Sequence, residues 1–442
     1  MADSEDSEQT YSPNIPHWYT PTEDILTLVD GDSAMVYDDQ GDEYLDFISQ
    51  LYCVNAGHGN ENIRSRMEQQ LERIQHVSPS KNNDKRSELS VELTNVAPDN
   101  LTDVVFSVSG SEANEIAIQI AQSYKDASKV LTRWQSYHGA TYGAGALTGD
   151  PSTRSTIESK AATTGYAKFL PPLTTNDAFD ADSDADLARK ASEHLEFVIR
   201  DEGPDSIAAV MMEPIGGTSG AYPAPAGYFQ RVREICSKFD ILHISDEVIT
   251  GFGRCGSWFG IQTEDVQPDM ITFAKGCTIG YAPLAGTLVD SDISKFMRSE
   301  GFEIGQTFSG HPVSCAAGLG ALEVYEDELI DNVNRLEPYF EQRLSDLSAS
   351  FDVIGEARGR GFLWAVTFEE PTSGDPFVDP RMNENDDNPV TEIRRAVLDH
   401  GVILGSGRPN HQLILAPPFT VEKEDINRAV DALAKATRDV LG

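Results

Sequence analysis

Between residues 104 and 289, short apolar-rich runs alternate with helical patterns, and no other feature restricts the possible folds as much. The runs are VVFSV (104–108), KVLT (129–132), IAAVMM (207–212), ILHIS (241–245), MITFA (270–274) and GTLV (286–289). Runs of this kind, bounded by turn residues, mark strands covered on both faces. Strands separated by helices over such a length build an α/β fold with a mostly parallel, doubly wound sheet. Open sheets of that class place their chemistry beyond the C-terminal ends of the strands.

The rest of the chain reads differently. Residues 1–12 are acidic and polar and are expected to be disordered. Residues 25–60 alternate short strand patterns with two glycine-containing turns, at 30–32 and 40–42, and a helix follows over Glu61–Arg73. Residues 314–348 read as a long helix followed by another, FDVIGEARGRGFLWAVTF as a strand pair, and Lys423–Leu441 as a final helix. The expected organisation is a large domain over 61–315 and a smaller α+β domain formed by 1–60 and 316–442. Two acidic segments rich in turn formers, 174–186 and 369–389, are expected to be exposed loops.

Charge narrows the function. The chain carries 72 Asp and Glu against 34 Lys and Arg, a net charge of −38. That excess argues against nucleic acid and anionic membranes as partners. The acids are spread along the whole chain, a pattern that resembles proteins working in concentrated salt, where self-repulsion is screened; an ordinary acidic enzyme is the alternative. No apolar run reaches the length of a membrane span. The five cysteines are scattered without a C-x-x-C pair, and MADSEDSEQT is unlike a secretory signal, so a reducing cytoplasm is expected.

Three places carry candidate chemistry. SGSEAN (109–114) lies between a strand and a helix whose apolar positions are Ala113, Ile116, Ala117, Ile120, Ala121 and Tyr124. Ser109 and Glu112 fit a capping box, Gly110 allows a sharp turn, and the amides at the helix start suit a phosphate, with Ser111 adding its hydroxyl. A plain N-cap is the alternative. In ILHISDEVITGFGR (241–254) the strand ends on Asp246, which either caps the next turn or is buried and paired; Arg254 is read as structural. In ITFAKG (271–276) Lys275 follows the neighbouring strand, so Asp246 and Lys275 leave the sheet on one edge. A phosphate site, a carboxylate and a lysine at strand ends are what pyridoxal phosphate requires: a lysine for its aldehyde, a helix start for its phosphate and an acid for its ring nitrogen.

GSEAN, YHGAT, MMEPIGG, DEVITGFGR, FAKG and TFSGHPVSCAAG follow in the order and spacing of class III aminotransferases of the fold type I class, and the resemblance runs from about residue 44 to the C-terminus. QLYCVNAGHGN (50–60) resembles the ω-amino acid or amine:pyruvate branch, which usually reads LWCVN, so Tyr52 stands where tryptophan is common. The resemblance implies that Lys275 holds the cofactor covalently and Asp246 pairs with its ring nitrogen. It implies that Gly110 and Ser111 hold the phosphate, that Tyr137 and Val248 flank the ring, and that Glu213 lies near Asp246 and His138. His138 could equally be a satisfied core histidine. The resemblance further implies that Thr307 reaches the phosphate of a neighbouring subunit's cofactor, hence a homodimer or a dimer of dimers with its active sites at the interface.

The substrates implied are a small-molecule amine or ω-amino acid donor and a keto-acid acceptor, with pyruvate expected. Arg408, in ILGSGRPNHQLILAPPF, is the candidate for the acceptor's carboxylate, because a guanidinium binds a carboxylate through two parallel bonds. A surface-loop arginine is the alternative. Trp18, Tyr52 and Tyr137 could wall an apolar pocket. Four rival readings remain: transfer from 4-aminobutyrate or a diamine to 2-oxoglutarate, an internal aminomutase, and outside the class a cofactor-free Schiff-base lyase or an acidic binding protein. No metal is expected.

Overall fold

The computed structural model describes residues 17, 25–159, 165–174, 178–377, 388–408 and 410–442. Its largest sheet has seven strands in the order Leu101–Ser107, Ala285–Asp290, Met270–Phe273, Leu242–Asp246, Ile207–Met212, Lys129–Arg133 and Tyr166–Phe169. Ala285–Asp290 runs antiparallel to both neighbours, and the remaining pairings are parallel. Six strands therefore point the same way and bring their C-terminal ends to one edge. The expected mostly parallel α/β sheet is present, and Ile207–Met212 is buried along its full length.

Two smaller sheets flank the chain ends. One is antiparallel, in the order Ile354–Arg360, Leu363–Phe368, Gln412–Leu415, Gly405–Ser406. The other joins Leu28–Asp32, Met35–Asp38 and Glu43–Asp46 to Val402–Ile403, which adds in parallel. N- and C-terminal chain thus share one sheet. Arg254 ties the layers together as a fully buried hub. It donates to the carbonyls of Phe362 and Pro417 at 3.0 and 2.6 Å and to Ser49 Oγ at 3.1 Å.

The helices Glu61–Arg73 and Lys423–Leu441 occupy the residues expected of them. The expected helix pair is a continuous rod: Pro312–Val324 passes through a π turn, Tyr325–Leu329, into Ile330–Ser348. Tyr325 donates from that turn to the carbonyl of Gly276 at 2.8 Å, so the rod braces the segment after Lys275.

Several local expectations need correction. The glycine at 31 lies inside the Leu28–Asp32 strand, and the hairpin turns at Ser33, whose φ is 51°. The strand Tyr166–Phe169 was not anticipated; it is a sheet edge and its sequence, YAKF, carries no continuous apolar run. Within 174–186 the chain enters the helix Asp184–Glu202, with Ser183 Oγ accepting from the Asp186 amide at 3.3 Å. At the end of 369–389 Asn388 caps the helix Pro389–Asp399; residues 378–387 of that segment fall outside those described. Among the described residues, no helix is long and apolar enough to cross a membrane.

Candidate functional site

The start of Gly110–Lys125 follows directly from the first sheet strand. Ser109 caps it, its Oγ accepting from the Glu112 amide at 3.3 Å. The Glu112 carboxylate reaches one residue further back than a capping box requires, accepting from the Val108 amide at 3.0 Å. The reason for glycine at 110 is not the expected sharp turn, since its φ is not positive. A Cβ there would sit 2.8 and 2.9 Å from the two methyls of Val248. Gly110 is needed because Val248 leans onto the helix start. Ser111 Oγ accepts from the Ala140 amide at 3.1 Å, which leaves its own proton available to a ligand.

Asp246 ends its strand almost completely buried. One oxygen accepts from the Val248 amide at 3.1 Å, the turn cap considered from the sequence. The other meets His138 Nδ1 at 2.7 Å and accepts from Asn114 Nδ2 at 2.9 Å. His138 is itself fixed: its Nε2 lies 2.9 Å from Thr132 Oγ1, and its amide donates to Thr148 Oγ1 at 2.9 Å. A carboxylate accepting at Nδ1 sets that nitrogen as the protonated one, and the threonine hydroxyl satisfies the other. Both readings of Asp246 therefore hold together, cap and paired acid.

Glu213, at the end of Ile207–Met212, is also buried. Burial pushes its carboxyl up to about 7, against the pull of His138 and Arg133. Its Oε1 accepts from the Gly217 amide at 3.3 Å, and its Oε2 lies 3.9 Å from Arg133 Nη2.

Lys275 opens the one-turn helix Lys275–Thr278 with φ at 47°, a left-handed conformation that lysine adopts at a cost of about 1 kcal/mol. Its Nζ sits 5.3 Å from the centre of the Tyr52 ring. Burial lowers the amine's pKa, with Cys53, Asp246 and Glu213 pulling the other way.

These groups line one cavity of about 450 Å³. Gly110, Ser111, Tyr137, His138, Glu213, Asp246, Val248, Lys275, Tyr52 and Arg408 all face it. Thr307 does not; it is exposed and apart from the cavity within one chain. Trp18 lies outside the described residues. The sequence reading missed Asn114, which bridges Asp246 and the His138 carbonyl (2.6 Å). A polar residue one turn into an otherwise apolar helix face was the available signal. It also missed Arg394, on Pro389–Asp399, which lines the same cavity; no local pattern marks that arginine.

The sequence profile described as "Aminotransferase class-III" matches residues 16–437. The chain is a class III aminotransferase. Among its relatives is gamma aminobutyrate transaminase 3 of Solanum lycopersicum, 31% identical over 97% of this chain and 83% of that protein. Taurine:2-oxoglutarate aminotransferase from Bifidobacterium kashiwanohense, solved with PLP and glutamate, superposes with a TM-score of 0.91 at 30% identity, covering 96% of this chain and 95% of the other. An ω-aminotransferase from Paracoccus denitrificans gives a TM-score of 0.90 at 31% identity, covering 98% and 97%. The aminotransferase is a pyridoxal phosphate enzyme of the fold type I architecture, and small molecules are its substrates.

Proposed function

We propose that this aminotransferase moves an amino group from an amine or ω-amino acid to a keto acid, with pyruvate as the acceptor, and that the cavity at Lys275 is where it does so. The residues fit the cofactor. A lysine amine with a lowered pKa, a carboxylate with a histidine behind it, and a helix start cleared of side chain at Gly110 all face one space. Pyridoxal phosphate supplies an aldehyde that takes up the amino group and a ring that stores the electrons released at the neighbouring carbon.

The chain's own residues do the rest. Lys275 Nζ would hold the cofactor and, once released, would take the proton from the amine-bearing carbon and pass it to the cofactor's aldehyde carbon; burial lowers its pKa, which favours the neutral amine that such a transfer needs. Asp246 keeps the ring nitrogen protonated, and His138 holds the Asp246 oxygen in place. Gly110, Ser111 and the helix amides bind the phosphate. Tyr137 and Val248 flank the ring. Glu213 completes the buried wall. Thr307 serves a neighbouring subunit, which makes the working unit at least a homodimer.

The observation that carries the substrate reading is Arg408. It lines the cavity with Lys275, its guanidinium 5.5 Å from the centre of the Tyr137 ring. A guanidinium beside aromatic rings can hold a keto acid's carboxylate while Tyr52 and Tyr137 meet an apolar amine. Arg394 on the same cavity favours a second reading, in which two guanidiniums serve the two carboxylates of 2-oxoglutarate. The names of the tomato and Bifidobacterium relatives agree with donors such as 4-aminobutyrate or taurine.

A panel decides between them. 4-Aminobutyrate, taurine, a diamine and an arylalkyl amine are each paired with pyruvate and with 2-oxoglutarate, in concentrated salt, and alanine or glutamate is measured. Alanine formation supports the first reading and glutamate alone the second. Turnover without any external keto acid would establish an aminomutase and reject both.

A further inference from the structure

Arg408 reaches the cavity from a pinned base: its amide donates to the Thr218 carbonyl at 2.7 Å, next to the short strand Gly405–Ser406. Its guanidinium leans away from that base onto the first turn of Pro151–Glu158. There Nη1 donates to Thr153 Oγ1 at 3.1 Å and lies 3.7 Å from Asp150 Oδ2. Asp150 is only 2% exposed. It caps the helix, its Oδ2 accepting from the Thr153 amide at 3.0 Å and the Thr153 hydroxyl at 2.7 Å. The turn is held from below, since the Gly149 and Asp150 amides both donate to the Ser136 carbonyl, at 2.9 and 3.0 Å. The Thr153 hydroxyl thus donates to Asp150 and accepts from Arg408, linking a buried carboxylate to the cavity's guanidinium.

We propose that Asp150 and Thr153 form a resting dock for Arg408 and thereby set how strongly the site prefers substrates that bear a carboxylate. This rests on the reading of Arg408 as the carboxylate-binding residue. A substrate carboxylate and the Asp150 carboxylate compete for one guanidinium. While Arg408 is docked, its guanidinium lies at the cavity wall beside Tyr137, and its charge is drawn toward Asp150 rather than offered to an apolar amine. When a keto acid enters, it must draw the guanidinium from Asp150. Asp150 is a positioning residue here, since it acts only through Arg408.

Asparagine caps a helix as well as aspartate does but carries no charge, so Asp150→Asn separates the dock from the cap. The measurement is kcat and KM for pyruvate and for an arylalkyl amine without a carboxylate. Asp150→Asn is expected to lower the KM for pyruvate about threefold to tenfold and to weaken use of the amine by a similar factor, as loss of one partly buried ion pair implies. Thr153→Val, which removes the linking hydroxyl, shifts both in the same directions and carries the test if the first variant fails to fold. A cap alone would change both substrates alike, and that result, or no change, overturns the proposal. Arg408→Ala is the second arm. An unchanged pyruvate KM there rejects the reading of Arg408 itself. A raised KM, with the Asp150→Asn shift persisting in the Arg408→Ala background, rejects the dock alone.

Discussion

The contact between Gly110 and Val248 makes Gly110→Ala the most informative single methyl in the molecule. The added carbon would lie 2.8 Å from one Val248 methyl and 2.9 Å from the other, with Val248 Cβ at 3.5 Å. Ordinary contact starts near 3.4 Å, so the two segments must part by roughly 0.6 Å. Valine has no long side chain to swing aside, and its amide is tied to Asp246 at 3.1 Å. The strain therefore falls on the backbone at the helix start. Overpacking of this kind costs about 1–3 kcal/mol, offset by about 1 kcal/mol from the better helix propensity of alanine. A net loss of up to about 2 kcal/mol lowers Tm by up to a few degrees in a chain of this size. The larger effect falls on the cofactor. A phosphate bound by the Gly110 and Ser111 amides would lose the alignment of about one charged hydrogen bond, which weakens binding roughly tenfold to a hundredfold. The assay is thermal melting of the cofactor-free protein, together with titration of pyridoxal phosphate followed by near-visible absorbance. Gly110→Ala should cost less cofactor affinity in a Val248→Ala background than in the parent protein, because the space is returned there. A Gly110→Ala protein with unaltered melting and unaltered cofactor affinity would refute the argument that Val248 is why position 110 is glycine.

Three further outcomes are expected. Lys275→Ala abolishes turnover and the protein no longer acquires the near-visible band of the loaded enzyme; retained activity would remove Lys275 from its role. Burial raises Glu213 from 4.5 to about 7, so folded and unfolded chains bind the same proton below 4.5, and the unfolded chain alone releases it between 4.5 and about 7. Its effect is then a loss of stability of about 3 kcal/mol as pH rises through that window, and Glu213→Gln should flatten the fall in denaturation midpoint between pH 4.5 and about 7. Identical slopes for the two proteins would sink that reasoning, even though Glu247, also raised to about 7 by burial, adds a fall of its own. Finally, a net charge of −38 makes self-repulsion large, so Tm should climb steadily from about 0.1 M to about 2 M salt; a flat profile would count against the halophilic reading.

Much of the site was legible because its groups sit at ends of strong local patterns. Ile207–Met212 is a continuous apolar run, and Leu242–Asp246 and Met270–Phe273 are buried and apolar-rich; the last two lead to Asp246 itself and to Lys275, while Glu213, after the first, was marked only by the family resemblance. Tyr166–Phe169 escaped because an edge strand needs no continuous apolar run. Gly110 was singled out for the wrong reason, because a glycine after a strand looks like a turn until the valine from another segment is seen against it. Arg394 left no trace in its own helix.

Local periodicity by itself determined the strand–helix order, the parallel class of the sheet, and the placing of Lys275 and Asp246 on one edge. Those properties depend on side chains a few residues apart, which is the range over which a pattern of burial is written. Only the tertiary structure decided who stands behind whom: His138 against Asp246 across 108 positions, Asn114 against it across 132, Val248 over Gly110, and Arg408 against a helix 255 positions away. Such pairs follow from the order in which strands lie in the sheet and from how the chain ends fold back over it. Neither is encoded in any one segment, because each is settled by the burial of all of them at once.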